Sequence, residues 1–226
     1  MSTSGLTPLQ LRVLRAMKPV QPPWMLFGGA ALIGGYANHR TTRDLDFMWC
    51  DREGLDGIPD DVRSALVAAG LPVEAMRTSP SFVRLRVVDE HETLDVDLVA
   101  DPGTRPAPVT QVWDGVEVRL PSAQALLADK LCALLSRMEG RDLDDTVTLL
   151  GLGCDFSQGL DDAYEIDRGF SPVTLAWILR TWPMAKVAKL AGWDAAKTAQ
   201  VDADRGRLVD RLVDAAGADK AAQPPF

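Results

Sequence analysis

Hydrophobic positions follow two periods along this chain, and the change from one to the other divides it into two parts. Helical spacing covers residues 7–18, 29–36 and 60–69, and strand-like runs cover residues 24–27, 45–50, 82–88, 93–99 and 116–120. After Pro121 the pattern is helical throughout, over residues 122–137, 142–150, 160–167, 172–179, 183–191 and 195–216, and residues 217–226 are expected to fray. We therefore predict an α+β fold. A small mixed sheet flanked by helices (residues 1–120) is followed by a helical C-terminal domain (residues 121–226).

Two carboxylates occupy alternate positions at the start of the strand near residue 45. Asp44 and Asp46 are separated by Leu45, so both project from one face of the strand. Adjacent carboxylates repel each other unless a cation lies between them, and such hard oxygen ligands suit Mg²⁺ together with substrate phosphates. The pair therefore indicates a metal site on this strand.

A glycine pair precedes these acids at the beginning of a predicted helix. Gly28 and Gly29 open the apolar run that starts after Phe27. Glycine lets a phosphate approach the backbone closely, and a helix N-terminus favours an anion. Together, the glycines and the acids predict a site for a nucleoside triphosphate with its metal at one sheet edge.

A later strand carries further acids in an alternating pattern. Asp95 and Asp97 share one face of the strand at residues 93–99. Either acid could complete a two-metal site or accept a proton from an attacking hydroxyl. The two acids remain alternatives for the third carboxylate at this point.

These motifs resemble the pattern of the nucleotidyltransferase superfamily, a Gly-Gly helix start followed by Asp-x-Asp and a later strand Asp. The resemblance favours Asp97 as the third acid, because Val96-Asp97-Leu98 matches the family's hydrophobic–Asp–hydrophobic strand. Asp44, Asp46 and Asp97 are then the expected catalytic and metal-binding residues. Gly28 and Gly29 are expected to bind phosphate.

Two segments further along make the chain similar to the AbiEii/AbiGii-type toxin nucleotidyltransferases. Lys130, within Leu127-Ala128-Asp129-Lys130-Leu131, resembles the family's helical lysine and is expected to contact the triphosphate. Arg137, Arg141 and Asp142 match the family's downstream Arg-Asp segment and are expected near the site. The resemblance covers roughly residues 25–150. It implies a nucleotidyltransferase-like core and a toxin from a bacterial toxin–antitoxin pair.

The loop before the metal strand supplies further candidate contacts. Arg40 and Arg43 could steer phosphate or RNA, and Thr42 is an alternative phosphate contact. A solvated loop explains these residues equally well.

Composition narrows the class of protein. The net charge is −8, which argues against broad nucleic-acid coating but leaves room for a small basic patch that holds one RNA end. The three cysteines lack metal-ligand spacing and are expected to be reduced thiols of a cytoplasmic protein, and two histidines do not suffice for a histidine-based zinc centre. No signal peptide or membrane span is visible. Among the tryptophans, Trp24, Trp49 and Trp177 lie in apolar settings and are expected in the core.

The sequence thus predicts an Mg²⁺-dependent enzyme that transfers a nucleotide from a nucleoside triphosphate to another molecule and releases pyrophosphate. The resemblance implies a macromolecular acceptor, a tRNA 3′ end or a protein, and a cognate antitoxin as partner. The base stays open, with ATP and CTP as candidates. A small-molecule transferase of the aminoglycoside-modifying kind, and a non-catalytic nucleotide-binding or interaction module, remain alternatives.

Overall fold

The computed structural model describes residues 5–90 and 92–222. The chain divides into two compact units, Met1–Ser122 and Ala123–Phe226. The first contains α1 (Pro8–Met17), β1 (Met25–Phe27), α2 (Gly28–Gly35), β2 (Asp44–Cys50), α3 (Ile58–Ala68), β3 (Val73–Ser79), β4 (Phe82–Val88), β5 (Thr93–Asp101), β6 (Val109–Trp113) and β7 (Val116–Leu120). The second contains α4 (Ala123–Ser136), α5 (Gly140–Gly151), α6 (Phe156–Ile166), α7 (Pro172–Thr181), α8 (Met184–Ala191) and α9 (Ala195–Ala222).

A five-stranded mixed sheet forms the centre of the first unit. Its strand order is β1-β2-β5-β4-β3, and β6 pairs with β7 in a separate two-stranded sheet. Strands β2 and β5 run parallel, while the other neighbours in the large sheet are antiparallel. The predicted α+β class, with a mixed sheet followed by a helical part, is confirmed.

One face of β2 and β5 carries the core of this unit. Leu45, Phe47, Val96 and Leu98 have no exposed surface. Because side chains alternate across a strand, the intervening acids all lie on the opposite face. Burial of the apolar set fixes the register, since a slip by one residue would place the acids in the core.

Helix α1 braces the chain before β2. Thr7 and Gln10 form a reciprocal capping box, in which each side chain accepts a hydrogen bond from the other residue's backbone N–H. The buried Gln10 side chain also donates from Nε2 to the carbonyl oxygen of Thr42 at 3.1 Å. The cap therefore anchors the loop that leads to Asp44.

Two strands were not predicted, for a physical reason. β3 and β6 have mostly exposed residues and so lack the apolar alternation by which a strand is recognised. At the C-terminus, fraying was expected from residue 217, but α9 continues through Ala222. The remainder of that expectation, residues 223–226, lies outside the described part. His91, one of the chain's two histidines, also lies outside it.

Helix starts and ends in the second unit follow their sequence signals. Asp155 and Ser171 cap α6 and α7 with their side chains, and Gly192 ends α8 in the left-handed conformation. Among the tryptophans expected in the core, Trp24 and Trp49 are buried. The expectation for Trp177 was wrong, because its side chain is 66% exposed.

Candidate functional site

Four carboxylates lie side by side on the face of β2 and β5 that is opposite the apolar core residues. In the parallel register, Asp44 pairs with Asp95 and Asp46 pairs with Asp97. Paired residues project to the same face, so the structure brings together the acids of both strands. We call these four residues the acidic face. Like charges at this spacing disfavour one another and call for cations nearby.

Gly28 lies directly against the acidic face. Its φ is +66°, a left-handed conformation that glycine adopts readily. A Cβ at this position would lie 2.3 Å from Oδ2 of Asp46, far inside van der Waals contact. The first glycine of the pair is thus required twice, by the backbone turn into α2 and by the close approach of Asp46.

Gly29 faces the other side of the site. A Cβ there would lie 2.9 Å from Nη2 of Arg40 and 3.1 Å from Oγ1 of Thr42. The Thr42 hydroxyl in turn donates to Oδ1 of Asp44 at 2.5 Å. The start of α2, the loop and the first acid of β2 therefore meet at one place, while Arg43 in the same loop is exposed.

Two arginines on β4 pair with the acids of β5. Arg84 donates from Nε and Nη2 to the two carboxylate oxygens of Asp97 at 2.7 and 2.6 Å. Arg86 contacts Asp95 in the same two-pronged manner, at 2.9 and 3.3 Å. Neither arginine was predicted from the sequence as a site residue.

A signal for them was present in the sequence. Residues 82–88 and 93–99 were predicted as strands, and a symmetric hairpin between them sets Arg84 opposite Asp97 and Arg86 opposite Asp95, as observed. The Asp97 hydrogen bonds, opposed in part by burial, raise the pKa of Arg84, so this guanidinium stays charged. The β5 acids are therefore neutralised by the protein itself.

The donor set determines which acids suit a cation. Among the described residues, no three His, Cys, Asp or Glu side chains converge as a ready-made metal cluster. Asp44 and Asp46 match the carboxylate donors that Mg²⁺ prefers, with further positions left for phosphate oxygens and water. Asp97 is 6% exposed, and a cation would have to displace Arg84 from at least one of its oxygens.

A buried charge cluster lies in the second unit. Lys130 Nζ on α4 is 2.9 Å from Oδ1 of Asp142 and 2.7 Å from Oδ2 of Asp145, both on α5. Arg137 also donates to Asp142, at 2.7 and 3.1 Å. Arg141 donates to Glu139 instead.

Burial and charge act in opposite directions on this cluster. Asp142 and Asp145 have no exposed side-chain surface, and Lys130 keeps only 6% of its own. Burial alone would raise the pKa of Asp142, but the neighbouring charges of Lys130 and Arg137 and their hydrogen bonds lower it overall. Asp142 is therefore a buried, ionised carboxylate that depends on its cations.

Similarity to solved structures supports the fold. The chain matches JHP933 from Helicobacter pylori with a TM-score of 0.50 and 21% identity, covering 97% of this chain and 100% of that one. It matches the nucleotidyltransferase toxin MenT4 from Mycobacterium tuberculosis with a TM-score of 0.57 and 15% identity, covering 93% and 90%. It matches the antibiotic-resistance factor ANT(2'')-Ia with a TM-score of 0.51 and 14% identity, covering 71% and 90%. At these identities the likeness concerns the fold.

Family membership rests on a separate comparison. No curated protein matches the chain. Within the described residues, no helix has the length and apolar composition needed to cross a bilayer. The model of the nucleotidyl transferase AbiEii toxin family, which belongs to type IV toxin–antitoxin systems, matches residues 12–215, well beyond the segment that carried the sequence resemblance. The chain therefore belongs to the AbiEii nucleotidyltransferase toxin family, and it is a nucleotidyltransferase.

Proposed function

We propose that this nucleotidyltransferase transfers a nucleoside monophosphate from a nucleoside triphosphate to an RNA hydroxyl, with a tRNA 3′ end as the acceptor. The observation that carries the proposal is the meeting of Gly28, Gly29 and Thr42 with Asp44 and Asp46. This arrangement places a glycine turn and a helix start against two carboxylates of one strand face. Family membership adds a cognate antitoxin as the expected partner.

Residues around α2 would bind the triphosphate. Gly28 and Gly29 carry no side chain of their own that would keep phosphate oxygens from the backbone at the start of α2. Arg40 and Thr42 lie within contact of the Gly29 position and would add a charge and a hydroxyl. The acidic face by itself would repel a triphosphate. These donors would therefore orient the triphosphate only when a cation neutralises the acids.

Asp44 and Asp46 are the residues that would hold Mg²⁺. When bound, Mg²⁺ would neutralise charge on the phosphates and help the pyrophosphate leave. The protein's part is positioning: Thr42 fixes Asp44 through its hydroxyl, and Gly28 leaves room for Asp46. The reaction is attack of the acceptor oxygen on the α-phosphorus, which forms one P–O bond and breaks the bond to pyrophosphate.

Asp97 is the proposed third carboxylate, and Asp95 is the second candidate. Asp97 is paired in register with Asp46, which suits a group that receives the proton of the acceptor hydroxyl. Arg84 holds both of its oxygens, so Asp97 acts only after Arg84 releases one of them. Arg86 plays the same part for Asp95.

Lys130 keeps its proposed role toward the triphosphate, and its ion pairs indicate a second one. It neutralises Asp142 and Asp145, so its loss is expected to affect folding as well as nucleotide binding. Arg137 shares this cluster through Asp142.

The test is label transfer from each α-labelled nucleoside triphosphate, with Mg²⁺, to total RNA and to an aminoglycoside panel. We expect labelled RNA, and loss of at least 100-fold in rate for Asp46→Asn, since an amide cannot hold the cation. Asp61→Asn is the matched control, because Asp61 is exposed on α3. Labelled aminoglycoside without labelled RNA would replace this proposal by the small-molecule alternative. Full activity of a folded Asp46→Asn variant would refute the metal site.

A further inference from the structure

One stretch of this acidic protein carries only positive charges. Residues 168–193 include Arg168, Arg180, Lys186 and Lys189 and contain no Asp or Glu, although the whole chain has a net charge of −8. This stretch spans α7 and α8 of the second unit. It is therefore a local basic segment within an acidic chain.

The outer side of α7 presents a large aromatic residue to solvent. Leu175 and Leu179 are fully buried, whereas Val173 is 55% and Trp177 66% exposed. Val173 and Trp177 are one helical turn apart and share a face. Trp182, directly after α7, is 4% exposed and anchors the end of this helix. The apolar side of α7 thus packs inward, and Trp177 is left outside.

Three exposed cations lie beside this face and on the next helix. Arg180 follows Trp177 by three residues on α7, so the two side chains are neighbours on that helix. Lys186 and Lys189 are likewise three residues apart and neighbours on α8. Within the described residues, none of these three cations forms an ion pair. Arg168, Arg205 and Arg207, by contrast, each pair with a carboxylate on a neighbouring turn.

We propose that Val173, Trp177, Arg180, Lys186 and Lys189, the α7–α8 surface, bind a single-stranded segment of the RNA acceptor. The Trp177 ring would stack on a base, and the cations would contact phosphates. This combination of an exposed aromatic ring and unpaired cations characterises single-strand binding surfaces, which need no sequence readout. Charge complementarity favours RNA over an aminoglycoside, which is itself cationic. The inference rests on the proposed function, since it concerns how the acceptor is held.

Binding of RNA by the whole 226-residue chain, without nucleotide, tests the surface directly. The probe is a short fluorescent single-stranded RNA, compared with the same strand annealed to its complement. Trp177→Ala should weaken binding of the single strand roughly 5- to 150-fold, the range for loss of one base stack, and affect the duplex much less. The variant R180Q/K186Q/K189Q should lower the slope of log affinity against log salt by about 2, for three phosphate contacts at ~0.7 each.

A matched control separates local contacts from total charge. K18Q/R63Q/R77Q removes the same charge from three exposed cations of the first unit, outside the basic segment and the proposed surface. We expect this variant to keep the salt slope within about 0.5 of wild type, because only cations that contact phosphate release counterions. Equal losses in the two triple variants would overturn the proposal, as would wild-type affinity in Trp177→Ala.

Label transfer measured on the same variants distinguishes this inference from the proposed function. If wild type labels RNA and the α7–α8 variants bind and label it equally well, the surface is refuted and the function stands. If wild type binds RNA through Trp177 but labels none with any nucleotide, the function is refuted and the surface stands. In both cases a nucleotide-binding titration of each variant shows whether the first unit is intact.

Discussion

Lys130 is predicted to stabilise the fold, and Lys130→Met is the change that shows it. The substitution keeps most of the aliphatic stem but removes the ammonium group that contacts Asp142 and Asp145. Both carboxylates have no exposed side-chain surface, so water cannot replace the lost partner. Sequence analysis treated Lys130 as a phosphate contact, and the structure adds this stabilising role.

The magnitude follows from the burial of the cluster. Removing one partner of a buried ion pair costs about 3–5 kcal/mol, because the remaining charge is left uncompensated. For a chain of 226 residues this corresponds to a lower melting temperature by roughly 6–20 °C. Arg137 still donates to Asp142 in Lys130→Met, so that carboxylate keeps one cationic partner.

The assay is thermal unfolding followed by circular dichroism at neutral pH. Lys189→Met is the control, since Lys189 is exposed on α8 and its replacement should shift the melting temperature by less than about 2 °C. Adding Asp145→Asn to Lys130→Met should restore part of the loss, because it removes one of the two buried negative charges that Lys130 neutralises. Equal melting temperatures for the two lysine variants would refute the reasoning.

The pH dependence gives a second, independent check. The pKa of Asp142 is lowered in the folded protein, so its contribution is fully present above its unfolded value, 3.8. That contribution is lost as the pH falls below 3.8 toward the folded pKa. The difference between wild type and Lys130→Met should therefore be constant near neutral pH and shrink in acid. A difference that grows toward acid would contradict an ionised Asp142.

Two further predictions concern the acidic face. Gly28→Ala should abolish most activity and lower the free energy of unfolding by more than about 1–2 kcal/mol, because the new Cβ would strike Asp46. Gly70→Ala is the control: Gly70 has φ +70° but open space around it, so this variant loses only the free energy of the strained backbone. Equal losses of activity and melting temperature in the two variants would refute the steric argument. Arg84→Gln should lower the Mg²⁺ concentration for half-maximal transfer about tenfold, because Asp97 no longer has to give up a charge-assisted hydrogen bond to Arg84 when it binds the metal. An unchanged or higher half-maximal Mg²⁺ concentration would show that Asp97 binds no metal.

The alternation of buried apolar residues with polar ones explains which strands could be predicted from the sequence. The central strands β2, β4 and β5 alternate apolar and polar residues because one face of each is in the core. β3 lies at the sheet edge, and most of its residues are exposed, so no apolar period marks it. The same alternation identified the acids of β2, because a charged residue within a buried strand has to face solvent or a ligand.

Partners across elements were harder to predict than the residues themselves. Lys130 was placed on its helix correctly, but its pairing with Asp142 and Asp145 depends on how α4 packs against α5, which the local pattern does not encode. Trp177 was misjudged because its sequence neighbours are apolar. The 3.6-residue period would have placed it outside, since Leu175 and Leu179 occupy the inner side.

Charge on the acidic face limits how an RNA acceptor can bind. Arg84 and Arg86 pair with two of its four carboxylates, and the acidic face as a whole disfavours a polyanion unless cations offset its charge. Mg²⁺ would offset part of this charge at the reacting phosphate, but it adds little affinity for the rest of an RNA strand. Further affinity for the acceptor would come from cations elsewhere, and those of the proposed α7–α8 surface are suited to that role. Transfer to RNA should accordingly fall steeply with salt while nucleotide affinity changes little.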